Sequence, residues 1–209
     1  MGKIIAFTNK KGGVGKTTTA VNMAAYCAEA GKKVLLVDID SQGNATTALG
    51  FLKSGLKKSV YNVLIEDDTA EANILPTQVP GLDMLPANVD LSGAEVEIVY
   101  KRNRERLLKN ALDKIKADYD YIFIDCPPSL GVLTINAWVA SDSIIIPLQG
   151  EYFALEGVSQ LMNTISLVRQ HLNPNLQIEG VVITMYDGRA LISRQITAEI
   201  KNFFKSKLY

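Results

Sequence analysis

Sulfur, imidazole and indole are scarce in this chain. Its 209 residues hold two cysteines, Cys27 and Cys126, one histidine, His171, and one tryptophan, Trp138. The cysteines form no Cys-x-x-Cys pair, which argues against a disulfide framework, a zinc site or an iron–sulfur cluster. His171 closes a helical run before Asn173-Pro174 and reads as a solvated or capping residue, not a catalytic one. Trp138 lies in an apolar helical stretch and reads as core. No apolar run approaches the roughly 20 residues of a membrane span. Met1-Gly2-Lys3 runs straight into an apolar strand, so no secretory leader is expected. Ala6 stands where N-myristoylation wants Ser or Thr. A cytoplasmic protein is expected. Net charge is lacking too: 22 basic residues balance 22 acidic ones, which excludes a globally basic nucleic-acid coat. There is no internal repeat, low-complexity tract or linker.

The charge that is present is unevenly spread. Residues 98–116 hold seven Lys or Arg against two acids, and residues 187–209 hold five against two. Such clusters read either as solvated helix faces or as local phosphate-binding patches, and the sequence leaves both open.

Apolar runs recur with helical segments between them. Lys3–Thr8, Val34–Val37, Leu82–Leu85, Tyr121–Ile124, Ser143–Pro147 and Ile178–Thr184 read as short buried strands. Thr17–Ala30, Ala94–Ala117, Leu130–Ala140, Leu155–Leu172 and Ile192–Phe204 read as helices, the first ending at a suitable cap, Gly31. Leu155, Val158, Leu161, Met162, Ile165 and Val168 share one helical face. Residues 50–80 read as loop with short helices. The alternation predicts an α/β fold of three layers: a mostly parallel central sheet with helices on both faces. Ligands then bind at the carboxyl ends of the strands.

Those ends carry the chemistry. Residues 8–19, Thr-Asn-Lys-Lys-Gly-Gly-Val-Gly-Lys-Thr-Thr-Thr, follow the strand Ile4–Phe7 and open a helix. The common phosphate loop, G-x-x-x-x-G-K-[ST], has its first Gly six positions before the Lys. Here that position is Lys10, yet Gly12, Gly13, Gly15, Lys16 and Thr17 remain. Bare glycines let backbone N–H groups close around phosphate oxygens, and the helix N-terminus adds positive potential. Lys16 can reach the β- and γ-phosphates, and Thr17 can offer its hydroxyl to Mg²⁺. Lys11 is a second ammonium that an intrachain loop does not need. The bland alternative is a glycine-rich turn with solvated lysines.

Two strands end in acid. Tyr121–Ile124 leads to Asp125, which beside a phosphate loop can hold a hydrated Mg²⁺ and sense the γ-phosphate. Pro127-Pro128 stiffens the segment that follows. Val34–Val37 leads to Asp38-Ile39-Asp40, with Gln42 and Asn44 nearby. Asp40 can orient or deprotonate a water, and the alternative is helix capping by Ser41 or Asn44.

At these residues the chain resembles the ParA/Soj group of deviant-loop partitioning ATPases, relatives of MinD. The matching words are Lys11–Thr18, Val37–Asn44, Ile124–Ser129, Gln149–Gly157 and Thr184–Arg189. The resemblance implies a P-loop NTPase fold, ATP and Mg²⁺ as cofactors, and an ATP-dependent homodimer in which nucleotide is sandwiched between two chains. It implies that Gly12, Gly13, Val14, Gly15, Lys16, Thr17 and Thr18 bind nucleotide, with Met185 also beside it. Lys11 would reach across to the phosphates of the second copy. Lys11, Lys16 and Asp40 would be catalytic, Thr17 and Asp125 would serve the metal, and Arg189 would meet double-stranded DNA without sequence preference. A ParB-type DNA-bound partner would speed hydrolysis, and the protein would be nucleoid-associated with no membrane attachment.

Departures from the pattern are Ser41 for a common Pro, Gly150 for a common Cys, and Ala190-Leu191-Ile192 after Arg189. The group's members continue past the position of Tyr209. Residues 1–209 are therefore expected to form a single ATPase domain without the family's C-terminal segment. Tyr152 and Phe153 can line a dimer surface or pack inward. The alternative output is a MinD-type membrane switch, which needs a terminal amphipathic helix that Phe203–Tyr209 is too short to supply. A nitrogenase-reductase relative needs bridging cysteines, and a kinase needs a second substrate pocket.

Overall fold

The computed structural model describes residues 2–151 and 154–209, and of Ala154, Leu155 and Glu156 the backbone alone. Tyr152 and Phe153 lie outside the described residues. Seven strands, β1 (Lys3–Phe7), β2 (Val34–Asp38), β3 (Leu75–Pro76), β4 (Leu82–Leu85), β5 (Tyr121–Asp125), β6 (Ser143–Gln149) and β7 (Gln177–Thr184), form one sheet. Their order is β3-β4-β2-β5-β1-β6-β7, and every pairing but β3 with β4 is parallel. A parallel sheet needs both faces covered, and the Val, Ile, Leu and Phe of β1, β2, β4, β5 and β6 are buried on both.

On one face lies α1 (Lys16–Glu29), whose buried Ala20, Ala24 and Ala28 recur every four residues. That stripe has no bulk beyond Cβ, so the helix sits close over Phe7, Leu36 and Phe123. The Phe7 and Phe123 rings meet edge-on, 5.5 Å between centroids. The short α2 (Asn44–Ala48) adds Ala45 to the same layer. The opposite face is covered by α3 (Val60–Ile65), α4 (Ala70–Asn73), α5 (Ala94–Glu97), α6 (Leu107–Ile115), α7 (Val132–Ala140), α8 (Ala154–His171) and α9 (Leu191–Phe204). Trp138 is fully buried there, as its apolar neighbours predict.

One expected helix is broken. Ala94–Ala117 reads as a single charged helix, but the chain forms α5, a 3₁₀ turn at Ile98–Tyr100, a second at Arg104–Arg106, and only then α6. The break centres on Asn103, which adopts the left-handed conformation at φ 51°. Asn tolerates that region better than most residues, and no α-helix can run through it. The buried Asn136 amide also donates to the Arg104 carbonyl at 2.7 Å, fixing the chain direction after the break. At the other sheet edge Leu208 bridges Val181 in parallel, and the Tyr209 N–H donates to the Val181 carbonyl at 2.8 Å.

Candidate functional site

The sheet order puts the predicted residues side by side. β1 and β2 are consecutive in the chain, yet β5 lies between them. Phe7 and Asp38 are both register partners of Asp125, so the glycine loop and two carboxylates leave adjacent strand ends.

Asn9 starts the loop. Its side-chain oxygen accepts the Lys11 N–H at 3.0 Å and its amide donates to the Pro147 carbonyl at 2.7 Å, tying the loop to β6. Gly15 ends it in the left-handed region, φ 81°, and a Cβ there would come within 3.3 Å of the Thr184 methyl. Glycine alone meets both demands at low cost. The helix α1 then begins at Lys16, which is buried and donates to the Lys11 carbonyl at 3.0 Å. Burial lowers its pKa, and the charges of Asp125, Cys126 and Asp40 oppose that shift.

The two strand-end acids have different surroundings. Asp125 accepts a hydrogen bond from the Thr17 hydroxyl at 2.6 Å, while its Oδ1 is buried with no partner. Burial, reinforced by the charge of Asp38, pushes its pKa up to about 8. Asp38 is fully satisfied: it accepts the Thr46 N–H and hydroxyl, both at 2.8 Å, and the Asp40 N–H at 3.1 Å. Burial still raises its pKa to about 6. The alternative in which Ser41 or Asn44 caps α2 is not what the chain adopts. Gly43 occupies the N-cap position with no side-chain bond, and Asp38 takes the free N–H of Thr46. Asp40 accepts the Gln42 N–H at 2.9 Å and, unlike Asp38, lines the cavity.

That cavity, about 800 Å³, lies over the loop and the start of α1. Gly12, Gly13, Gly15, Lys16, Thr17, Thr18, Asp40 and Met185 all line it, and its volume lies within the range of small-molecule sites. Met185 is half-exposed at φ 51°. Val14 is buried, and its carbonyl takes the Thr184 hydroxyl at 2.8 Å, so its contribution is through backbone. Asp125, fully buried, does not line the cavity and meets it through the Thr17 hydroxyl, and two further predicted residues stand elsewhere. Lys11 is outside the cavity and ion-paired with Glu151. Arg189 is 93% exposed and bonded to Asp187. A second cavity of about 590 Å³ opens beside the opposite ends of β1 and β6, lined by Lys3, Asp142 and Glu179, with no glycine loop.

Sequence reasoning missed Thr184, Asn9 and Pro128. Thr184 binds the loop to β7, and Pro128 lines the cavity. Asn9 had a readable signal, since an Asn at a strand end readily accepts a backbone N–H two residues on. Thr184 had none, because its role depends on a contact 170 residues away.

The residues present fit Mg²⁺. Mg²⁺ is held through one or two protein oxygens plus substrate phosphates rather than by a full protein cage. The Thr17 hydroxyl and the Asp125 carboxylate supply that pair, and the unpartnered, buried Asp125 Oδ1 is an acceptor left over for a hydrated cation. Among the described residues no cluster of three or more His, Cys, Asp or Glu offers an alternative metal cage. No helix among them is long and apolar enough to cross a membrane.

A parallel sheet, a glycine loop closing on a buried lysine, and a Thr–Asp pair at the next strand define a P-loop nucleotide-binding protein. Comparison with known proteins narrows this. A family model for the AAA domain (AAA_31) matches residues 2–178. The sporulation initiation inhibitor protein Soj of Bacillus subtilis is 56% identical over 209 residues, covering 100% of this chain and 83% of that protein. The chromosome partitioning protein ParA of Myxococcus xanthus is 51% identical, covering 100% of this chain and 74% of that one. A crystal structure named cobyrinic acid a,c-diamide synthase, from Mycobacterium smegmatis with bound ATP analog and magnesium, superposes with a TM-score of 0.92. It is 43% identical, with 98% of this chain and 84% of that chain covered. The chain belongs to the ParA/Soj family of partitioning ATPases.

Proposed function

We propose that the protein is a Mg²⁺-dependent ATPase that partitions DNA. The observation that carries this is the division of the two lysines: Lys16 enters the cavity with Asp40 and with Thr17, whose hydroxyl is bonded to the buried Asp125, while Lys11 stands outside it. ATP phosphates lie on the Gly12–Thr18 backbone, with Lys16 as the intrachain cation for the β- and γ-phosphates. Mg²⁺, held by Thr17 and Asp125, supplies charge neutralisation at the phosphate oxygens. Asp40 faces the cavity with one carboxyl oxygen fixed by the Gln42 N–H, which suits it to orient or accept a proton from the attacking water. Lys11 then reaches the nucleotide of a second copy, so that ATP is sandwiched and a homodimer forms.

The dimer presents Arg189 twice. Two exposed guanidiniums on one two-fold assembly let a chain of zero net charge bind DNA backbone in a salt-dependent way. Hydrolysis, speeded by a ParB-type DNA-bound partner, releases the DNA. Supporting this are the identities to proteins named Soj and ParA. Residues 1–209 act as one ATPase unit in this reading. The test is light scattering and DNA mobility shift with ATP, ADP and no nucleotide. ATP-specific dimerisation and DNA binding are expected, and absence of both overturns the proposal. Co-sedimentation with liposomes in ATP, without DNA binding, would mark a MinD-type switch instead.

A further inference from the structure

Asp40 lies on the loop that joins β2 to α2, and the ends of that loop are fixed from inside. Asp38 closes β2 and accepts the Thr46 N–H and hydroxyl from α2, both at 2.8 Å. The crest between them, Ser41-Gln42-Gly43, faces outward, and Gln42 is exposed. Two bonds tie Asp40 to this crest. Its carboxylate accepts the Gln42 N–H at 2.9 Å, and its carbonyl accepts the Gly43 N–H at 2.8 Å. The aim of the Asp40 carboxylate therefore depends on where the crest is held.

Lys53 holds the crest from outside. Its ammonium donates to the Gln42 carbonyl, its one hydrogen bond or ion pair among the described residues. The Gln42–Gly43 peptide thus has its N–H on Asp40 and its C=O on Lys53. The Lys53 stem lies across Gly43, where an added Cβ would collide with the Lys53 Cδ. Gly43 is buried as a result, although it sits on an outward crest, and its φ of 58° suits a residue without Cβ. The chain reversal after α2 delivers this lysine. Gly50 turns in the left-handed region at φ 88°, and the Phe51 N–H donates to the Thr46 carbonyl at 3.2 Å. The Phe51 ring packs against the apolar cluster under α1. Thr46 therefore both engages Asp38 and anchors the segment that carries Lys53. Asp40 and Gln42 line the nucleotide cavity and Lys53 does not, so any influence of Lys53 on the nucleotide passes through the loop.

We infer that Lys53 is a positioning residue for hydrolysis: it pins the Gln42–Gly43 peptide and so sets the Asp40 carboxylate against the attacking water. The inference rests on the reading of Asp40 as the acid that orients this water. Small displacements of such a group slow chemistry without weakening substrate binding.

The test uses the full chain. Lys53→Met keeps the stem over Gly43 and removes the ammonium. Its kcat for ATP hydrolysis should fall about fivefold, with KM and ATP affinity unchanged. Lys53→Arg keeps a donor and should return kcat to within about twofold of wild type. Hydrogen exchange at the Gln42 and Gly43 amides should quicken in Lys53→Met and not in Lys53→Arg, while the melting temperature stays the same. In an Asp40→Ala background Lys53→Met should cause no further loss, because nothing is left for it to position. Unchanged kcat in Lys53→Met beside a slow Asp40→Ala overturns this inference alone. So does an additive loss in the double variant, which would put the effect of Lys53 outside Asp40. Wild-type hydrolysis by Asp40→Ala overturns the water-orienting reading, and this inference with it.

Discussion

The Lys11 ammonium is paired with the Glu151 carboxylate, outside the cavity that Lys16 enters five residues later. Both partners are close to half exposed, and such pairs contribute about 0–1 kcal/mol. The contact is therefore easily exchanged for a phosphate. Lys11→Ala should leave nucleotide binding by the monomer intact and abolish the ATP dimer, read by light scattering. Glu151→Gln, which frees the same ammonium, should change the dimerisation midpoint by no more than about fivefold. A normal ATP dimer in Lys11→Ala would reduce Lys11 to a solvated charge.

Lys16→Gln should behave in the opposite way. Its ammonium is buried and desolvation lowers its pKa, so an incoming triphosphate supplies the negative charge that offsets the cost of keeping it there. Labelled-ATP binding by the monomer should be lost. Wild-type affinity in this variant would remove the loop assignment.

Asp38 and Asp40 are two residues apart and should separate cleanly. Asp40→Ala is expected to bind ATP and accumulate as dimer while hydrolysis falls on the order of 10²-fold or more. Asp38→Ala strands three buried donors, from Thr46 and Asp40, and should cost at least about 2 kcal/mol of stability. Phosphate release and thermal melting on both variants decide between the roles. Unchanged hydrolysis in Asp40→Ala would make Asp40 structural.

How much of this was readable follows from range. Six of the strands and the loop are short, contiguous words, and their apolar runs end within two residues of the expected positions. The two-residue β3 is too short to leave a pattern. Asn103 defeats the helical reading of 94–117 because a single left-handed residue costs little in composition and everything in helix continuity. The capping alternative fails for a similar reason. Ser41 and Asn44 are good local caps, but Asp38 reaches Thr46 eight residues on and wins by burial. That Asp125 stands next to both Phe7 and Asp38 depends on strand order, which a chain read in sequence does not contain.

Thr184 offers a test of the loop's support. Its hydroxyl lies 2.8 Å from the Val14 carbonyl and 3.2 Å from that of Leu148, joining the glycine loop to β6 and β7. Thr184→Val keeps the shape and removes the hydrogen bond, at a cost of about 1 kcal/mol. ATP affinity should fall about fivefold by equilibrium binding. An unchanged affinity would mean that the glycine loop holds its shape without β7.

Arg189→Glu tests the DNA-binding half of the proposal. Asp187 accepts from the Arg189 backbone at 2.9 Å and from its guanidinium at 3.1 and 3.3 Å, so an intrachain pair does exist. The guanidinium is nevertheless 93% exposed, and a pair in that much water is worth little. Phosphate therefore competes with Asp187 at small cost, and a two-fold dimer supplies two such arginines. Arg189→Glu should leave ATP binding, dimerisation and the melting temperature intact. DNA binding should weaken equally on unrelated duplexes, since a backbone contact carries no base information. The salt dependence should also become shallower, as fewer counterions are displaced. Mobility shifts with ATP across a salt series, beside melting curves, read all of this at once. If DNA affinity stays constant while stability drops, Arg189 serves its own chain through Asp187 and the DNA contact belongs to other cations.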